Sequence, residues 1–493
     1  MSLQVREALP SWRASAAEAG APRPAARHWG GVGAQTLALE ARLSAWVGPR
    51  FNPMVHSGAL ATLSFVIALV SGIYVFLFYD VTAPYDSVAR LNDNLPGLLM
   101  RGLHRYASRA FLLFAVLHAL RLVLAGRHRG PRWLAWHTGV FKVLVAWFVG
   151  ITGYLLVWDQ QAYVLTLGLV RLLDSLLIFV QPFALTFLAA ETLRANIFFI
   201  TLFLHLSVPA LGAVLLWVHV SRTTRPRLLP TLRLGLVATA AMSALSLLWP
   251  ALSAPPADLA RLPHDAPLDP WYSLGTLAAL GLPPLAFGLA GLAALVALLA
   301  LPWLGRARPP GGAVIDQARC NGCVLCTLDC PYGAITMVPA PPAEAPGRRR
   351  VREVALVNPA RCVGCAICIG SCTAGGITLG RLSLGTMKER VSELLRGAPA
   401  GTLLVMTCRQ PWRLPLPPGV RHLELPCVGA INRNLVGHAL AAGAAGVLVI
   451  ACPEDICRYR EGATWTWLRA ARRRRPSWLP QTAERAAVAE AAP

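Results

Sequence analysis

Six runs of apolar residues, near 55–79, 103–125, 138–158, 196–220, 231–252 and 273–303, are each long enough to cross a bilayer as a helix. Such segments leave the chain few options, because in lipid every backbone amide must find its partner inside its own segment. Composition agrees: 55% of the 493 residues are hydrophobic and 14% charged, too apolar for a soluble protein. The expected fold begins with an all-α transmembrane bundle of six spans.

The loops set its orientation. GRHRGPR (126–132) and SRTTRPR (221–227) are basic, whereas YDVTAPYDSVARLNDN (79–94) and PADLARLPHDAPLDP (256–270) carry mainly acid, so the two kinds alternate sides. Six spans return the chain to the cytoplasm at GRARPP (305–310). The connection 159–195 contains an apolar stretch broken by Arg171, Asp174 and Gln181-Pro182, and reads as two short helices at the outer surface rather than a seventh span. The first fifty residues show no apolar stretch followed by a cleavage site, so a cytoplasmic N-terminus with an amphipathic helix is expected. The net charge of +22 is mostly arginine, with runs at 348–350 and 472–475. In a membrane protein these suit anionic lipid or an acidic partner, and no nucleic acid is expected.

Within the bundle one spacing recurs. His104 and His118 are fourteen residues apart in the second run, as are His205 and His219 in the fourth. Fourteen residues make nearly four turns, so each pair shares a face and is separated by about 21 Å along the axis. Both helices run in the same direction, which puts His104 level with His205 and His118 level with His219. Each level is suited to clamping a flat cofactor between two imidazoles, as in bis-histidine haem. Gly58/Gly72 and Gly139/Gly153 repeat the spacing in the first and third runs, leaving room for a macrocycle beside the backbone. Arg101 and Arg121 lie one turn outward of their histidines, where haem propionates are expected.

Residues 45–275 resemble the cytochrome b family of respiratory and photosynthetic bc-type complexes. The resemblance rests on these ladders and on GYLLVWDQQAY (153–163), similar to that family's GYVLPWGQ segment with Val157 in place of its proline. It implies two b-type haems, His104/His205 toward the outer face and His118/His219 toward the cytoplasm, with a quinone site near each. It also implies the possibility of a homodimer, as in bc-type complexes. The family's PEWY motif corresponds to DPWY (269–272), with Pro270 at the glutamate position. Either Asp269 substitutes or that site is inactive, and Trp271 and Tyr272 contact quinone or anchor the interface. Arg225, six residues after His219, stands where the family has a basic quinone contact.

All twelve cysteines follow residue 319. CNGCVLCTLDCP (320–331) has the spacing C-x2-C-x2-C-x3-C-P, and CVGCAICIGSC (362–372) repeats it without the proline. That spacing places three thiolates on one [4Fe–4S] cube and lends the fourth to its neighbour. Cys320, Cys323, Cys326 and Cys372 are expected to hold one cluster, and Cys362, Cys365, Cys368 and Cys330 the other. TLLVMTC, RHLELPC and GVLVIAC are short β-rich runs ending at Cys408, Cys427 and Cys452, with Cys457 close behind. In a parallel α/β sheet those carboxyl ends converge on one edge. Residues 398–465 resemble the delta subunit of methyl-viologen-reducing hydrogenase through LLVMTC, LPCVGAINRNLV and GAAGVLVIACPEDICRYREG. The resemblance implies a [2Fe–2S] cluster. The additional cysteines that family often carries near position 408 are absent.

The expected domains are a cytoplasmic N-terminal segment (1–50), a cytochrome b-like membrane domain (51–304), an α+β ferredoxin-like domain with two [4Fe–4S] clusters (305–395), a small α/β [2Fe–2S] domain (396–465) and a basic tail (466–493). Together they describe a multi-pass protein of a bacterial inner membrane with its iron–sulfur domains in the cytoplasm. The expected function is relay of electrons between a cytoplasmic dehydrogenase or flavoprotein and the quinone pool, as the quinone-reactive oxidoreductase subunit of a larger respiratory complex. Flavoprotein, hydrogenase, formate dehydrogenase or heterodisulfide-reductase-like subunits are the partners this implies. A quinol-oxidising energy-coupling subunit and a redox sensor or anchor are the alternatives.

Overall fold

The computed structural model describes residues 39–40, 42–48, 51–124, 128–129, 132–175, 195–221, 228–260, 269–272, 277, 281–304, 312–341, 351–409, 416–452, 457 and 459–490. Four helices are long and apolar enough to cross a membrane: α1 (Ser57–Leu77), α2 (Leu95–Leu124), α3 (Trp133–Val157) and α5 (Ala195–Val220). They pack as two close pairs, α1 with α2 and α3 with α5. Their outer faces carry exposed Leu, Val, Ile and Phe side chains, as a lipid-facing surface requires. The other two apolar runs form shorter helices, α6 (Leu232–Leu248) and α7 (Pro284–Ala300), of 17 residues each. α6 stops ahead of Pro250, and α7 starts with proline at its first position, so proline sets both limits.

Helix α3 ends where the sequence departs from the cytochrome b pattern. Without a proline at 157, Trp158 closes the helix in the left-handed conformation at φ 53°. Asp159 then accepts from the amides of Ala162 and Ala254, which starts α4 (Gln160–Ser175) and ties it to the loop after α6. Helix α4 is the first of the two short helices expected in this connection, and it is packed into the protein, with Ala162, Val164 and Leu167 at 0–1% exposure. The second short helix of that connection falls outside the described residues.

The ferredoxin-like unit is duplicated. In each half a cysteine loop leads into one helical turn, α8 (Leu325–Asp329) or α9 (Ile367–Ser371). Its strands form a small sheet, β1 (Val314–Ile315), β4 (Ile377–Leu379) and β5 (Leu382–Ser383), and a hairpin, β2 (Ile335–Pro339) with β3 (Glu353–Val357). Gly322 and Gly364 share φ 68°, and Val324 and Ala366 are also left-handed, so both loops use the same strained turn.

Helix α10 (Leu384–Leu395) leads to a parallel sheet. Its strands are β6 (Leu403–Cys408), β7 (Arg421–Leu425), β8 (Gly446–Ala451) and β9 (Ala486–Glu490), in the order β7-β6-β8-β9, with α11 (Arg433–Ala441) and α12 (Gly462–Ala470) in the connections. Within the stretch expected as a basic tail, 466–493, the chain completes α12 and supplies β9, with Arg469 and Trp478 buried.

Candidate functional site

His104 and His205 face each other across the two helix pairs with ring centroids 6.1 Å apart. Two imidazoles ligating one metal from opposite sides, with metal–nitrogen bonds of about 2 Å, bring their centroids to about this separation. Hydrogen bonding fixes the tautomers. His104 Nδ1 donates to the Ala68 carbonyl at 2.8 Å and His205 Nδ1 reaches the Val149 carbonyl at 3.1 Å, leaving each Nε2 as the lone-pair nitrogen. Thr152 Oγ1 lies 3.0 Å from His205 Nδ1, and Thr138 Oγ1 lies 3.0 Å from His219 Nδ1. These threonines were missed in the sequence, although Thr138-Gly139 and Thr152-Gly153 form a dipeptide repeated at the same fourteen-residue step.

The glycine ladder meets the four histidines. A Cβ at Gly58, Gly72, Gly139 or Gly153 would stand 2.8–3.3 Å from Cε1 of His118, His104, His219 or His205 respectively. The missing side chains make room for the imidazoles themselves. Each helix pair is thus one glycine helix and one histidine helix, locked in register. A cavity of about 300 Å³ between the pairs is lined by Gly72, His104, Gly153 and His205, so the residues present fit a macrocycle held by two histidines. Arg101 is buried and bonds to the Val88 carbonyl and Ser253, and Arg121 makes a two-pronged pair with Glu40 at 2.8 Å, so both hold the protein's own groups. Lys142 also lines the cavity and has no hydrogen-bond or ion-pair partner among the described residues, an unusual state for a lysine inside a bundle.

The Asp269 side chain is fully occupied by hydrogen bonds. Its carboxylate accepts from Arg109 at 2.8 Å, Tyr154 at 2.7 Å and the Trp271 amide at 2.9 Å, and the residue is buried. Tyr272 is buried beside Trp147 and Tyr154 and lines the same cavity. Arg225 lies outside the described residues.

In the region after the bundle the clustered thiols fall into two sets. Cys320, Cys323, Cys326 and Cys372 line one small cavity, and Cys330, Cys362, Cys365 and Cys368 line another. Each set lines a volume between its own loops, where a cube of iron and sulfur bound at its corners would fit. Amides of Ala313, Ala334 and Ala355 point at the sulfurs of Cys362, Cys330 and Cys320, at 3.3–3.5 Å. Burial pushes the Cys326 and Cys365 thiols up to about 12, so ionised sulfur is stable there only beside a cation.

Cys408, Cys427 and Cys452 stand at or just past the carboxyl ends of β6, β7 and β8, and with Cys457 all four are buried. Cys408 makes side-chain hydrogen bonds with Cys427 and Cys452, and Cys452 with Cys457. Those neighbours hold the Cys408 thiol well below its ordinary range and Cys457 at about 7, while Cys427 and Cys452 are pushed up. The Val428 and Gly429 amides point at Cys408 and Cys427 sulfur, each at 3.3 Å.

Opposed histidines in a membrane bundle, joined to two rings of four thiols, define a multi-pass membrane redox protein. Family models divide the chain in the order of its parts: Cytochrome b/b6/petB matches residues 43–224, a 4Fe-4S dicluster domain matches 319–375, and Methyl-viologen-reducing hydrogenase, delta subunit, matches 409–476. The first implies haem and the second [4Fe–4S] clusters. Cytochrome b6 of Prochlorococcus marinus strain MIT 9515 is 34% identical over 123 residues, and that of strain MIT 9303 is 33% identical. The match covers 24% of this chain and 56% of either relative, so the chain spans about half the length of the curated relatives it matches. A solved structure titled Hyperthermophilic respiratory Complex III aligns with 52% of this chain and 76% of its own, at 20% identity and a TM-score of 0.39.

Proposed function

We propose that the chain is a membrane electron-transfer subunit that passes electrons between a cytoplasmic dehydrogenase or flavoprotein and the quinone pool. In this reading His104/His205 and His118/His219 hold two b haems, the eight clustered cysteines hold two [4Fe–4S] clusters, and Cys408, Cys427, Cys452 and Cys457 hold a [2Fe–2S] cluster. The bundle has six spans, α1, α2, α3, α5, α6 and α7, with the soluble domains on the side of His118 and His219. The haem and clusters supply the one-electron chemistry, and the protein supplies ligands, spacing and dryness.

The observation that carries the reading is a contact between the two halves. Arg132 caps the start of α3, the helix whose Gly139 seats His219, and its guanidinium donates to Tyr332 Oη at 3.0 Å. Tyr332 in turn lines the cavity of Cys330, Cys362, Cys365 and Cys368. This joins the thiol domain to the bundle at the level of His219, as a relay requires. Val55, one residue ahead of His56, also packs against the soluble core.

Quinone exchange is assigned to the inner side, near His118 and His219, because the Asp269 carboxylate is fully engaged. The quinol-oxidising alternative needs a free base on the outer side. Asp269→Asn should therefore leave quinone-dependent haem oxidation within about twofold of the parent, and a loss of a hundredfold, the scale of a missing general base, would restore that alternative. An anaerobic redox titration, following haem by absorbance and clusters by EPR, tests the whole reading. Two b haems with the clusters at lower potential support it, and absence of haem would sink it.

A further inference from the structure

We propose that Cys330, Cys362, Cys365 and Cys368 form the junction of the relay, with Cys320, Cys323, Cys326 and Cys372 as a side branch, and that Arg469 is the positioning residue that holds the Cys427 group against the junction. The inference rests on the proposed function, since it takes both sets of thiols to hold clusters. It replaces a single file of cofactors by a fork.

Arg469 projects from α12 and is 0% exposed. Its guanidinium pairs with Asp329 and reaches Ser371 Oγ at 2.8 Å and the Gly429 carbonyl at 3.0 Å. Asp329 precedes Cys330, Ser371 precedes Cys372, and Gly429 follows Cys427 by two residues. One side chain therefore ties the cysteine loops of both soluble domains together. Trp465, one turn before Arg469, donates from Nε1 to the Asp329 carbonyl, and Arg474 stacks over its ring at 3.5 Å while also pairing with Asp329. Burying the Arg469–Asp329 pair is costly unless its partners are held in good geometry, so the arrangement demands a fixed position.

Around this staple the backbones close without side chains between them. A Cβ on Gly370 would run into the Gly429 carbonyl, and one on Gly462 into Cys427 sulfur. Cys365, Ile367, Cys427 and Trp465 form one buried apolar cluster, so the ring containing Cys365 is in direct packing contact with the Cys427 group. Tyr332, packed against the same cluster, continues to Arg132 and the membrane helices. The other ring meets the sheet domain through the core that holds Cys326 and Cys408 and through main-chain carbonyls, with Asn432 donating to Cys372 and Asn434 to Thr373, but it has no contact of the Tyr332–Arg132 kind to α3 among the described residues. Its ligand Cys323 is exposed, and Val324 beside it is 39% exposed. An electron entering at the Cys427 group reaches α3 through the Cys330 ring alone. The donor cluster is oxidised by one electron and the acceptor reduced by one, with no bond or proton moved.

The test uses the complete, anaerobically purified protein with its clusters, poised so that the [2Fe–2S] group and its neighbour are both paramagnetic. Dipolar splitting of the [2Fe–2S] EPR signal should persist in Cys323→Ser, which perturbs the side branch, and vanish in Cys365→Ser, which perturbs the junction. The opposite pattern overturns the fork. Arg469→Lys keeps the charge but not the fork of donors, and should weaken the splitting with iron and labile sulfide content unchanged. Full splitting in that variant overturns the positioning role. A parent protein without a [2Fe–2S] signal would sink the cofactor reading itself, and the inference with it.

Discussion

At the scale of single residues, Lys142 is the group with the clearest electrical consequence. It sits on α3 one turn from Gly139, the glycine against His219, and faces the cavity that also holds His205. A lone cation there favours a reduced cofactor over an oxidised one. At a separation of about 10 Å and an effective dielectric near 20, one charge contributes about 1–2 kcal/mol, roughly tenfold in a reduction equilibrium. Lys142→Met should lower the potential of the haem at the His118/His219 level by that factor and the other less, while Lys142→Arg preserves both. Optical redox titration reads this, and unchanged potentials would mean that the charge is neutralised. No sequence signal marked Lys142, since a single lysine in an apolar run has no spacing to betray it. The ligands were legible because they repeat: His104, His118, His205 and His219 by their fourteen-residue step, and the eight clustered cysteines by theirs. Arg109, Tyr154 and Asp269 come from distant segments and meet only in the folded bundle, so their pairing had no trace in the sequence.

At the scale of elements, the helix pairs show why two ladders of different residue types share one step. α1 and α3 supply glycine, α2 and α5 supply histidine, and each imidazole edge occupies the space its glycine vacates. This couples helix packing to ligand aim. Gly153→Leu should drive the His205 ring away and remove the haem of the outer level, halving the haem per chain in a pyridine haemochrome assay while α3 still inserts. Retention of both haems would mean that the glycine serves packing alone. Long periodic elements were readable, and α4 was readable as a short helix, but its apolar residues lie on too many faces to reveal what covers it. The parallel strands β6, β7 and β8 were found from their β-rich runs and terminal cysteines, but β9 was missed. AAVAE reads as helix former by propensity, and only its pairing with β8 makes it a strand.

At the scale of the molecule, the two halves meet through few polar contacts among the described residues, and their energetics differ from the buried staple between the two cysteine domains. Removing the Arg469 side chain leaves Asp329 buried with Arg474 and the Ser371 hydroxyl as its remaining partners, so Arg469→Ala should destabilise the region after the bundle by about 3 kcal/mol, seen as a lower denaturant midpoint. Arg132 and Tyr332 form one hydrogen bond and one cation–ring contact at 5.6 Å, worth about 1 kcal/mol together. Arg132→Ala should therefore leave folding, haem and iron content intact. Its effect should appear in kinetics: with the clusters pre-reduced, haem reduction should slow several-fold in rapid mixing, because the contact holds the Cys330 ring over the start of α3. Tyr332→Phe removes the hydrogen bond but keeps the ring under the guanidinium, and its rate should fall between that of the Arg132→Ala variant and that of the parent. If both variants reduce haem at the parental rate, electrons enter the bundle elsewhere, and the soluble domains reach it through the apolar contact at Val55.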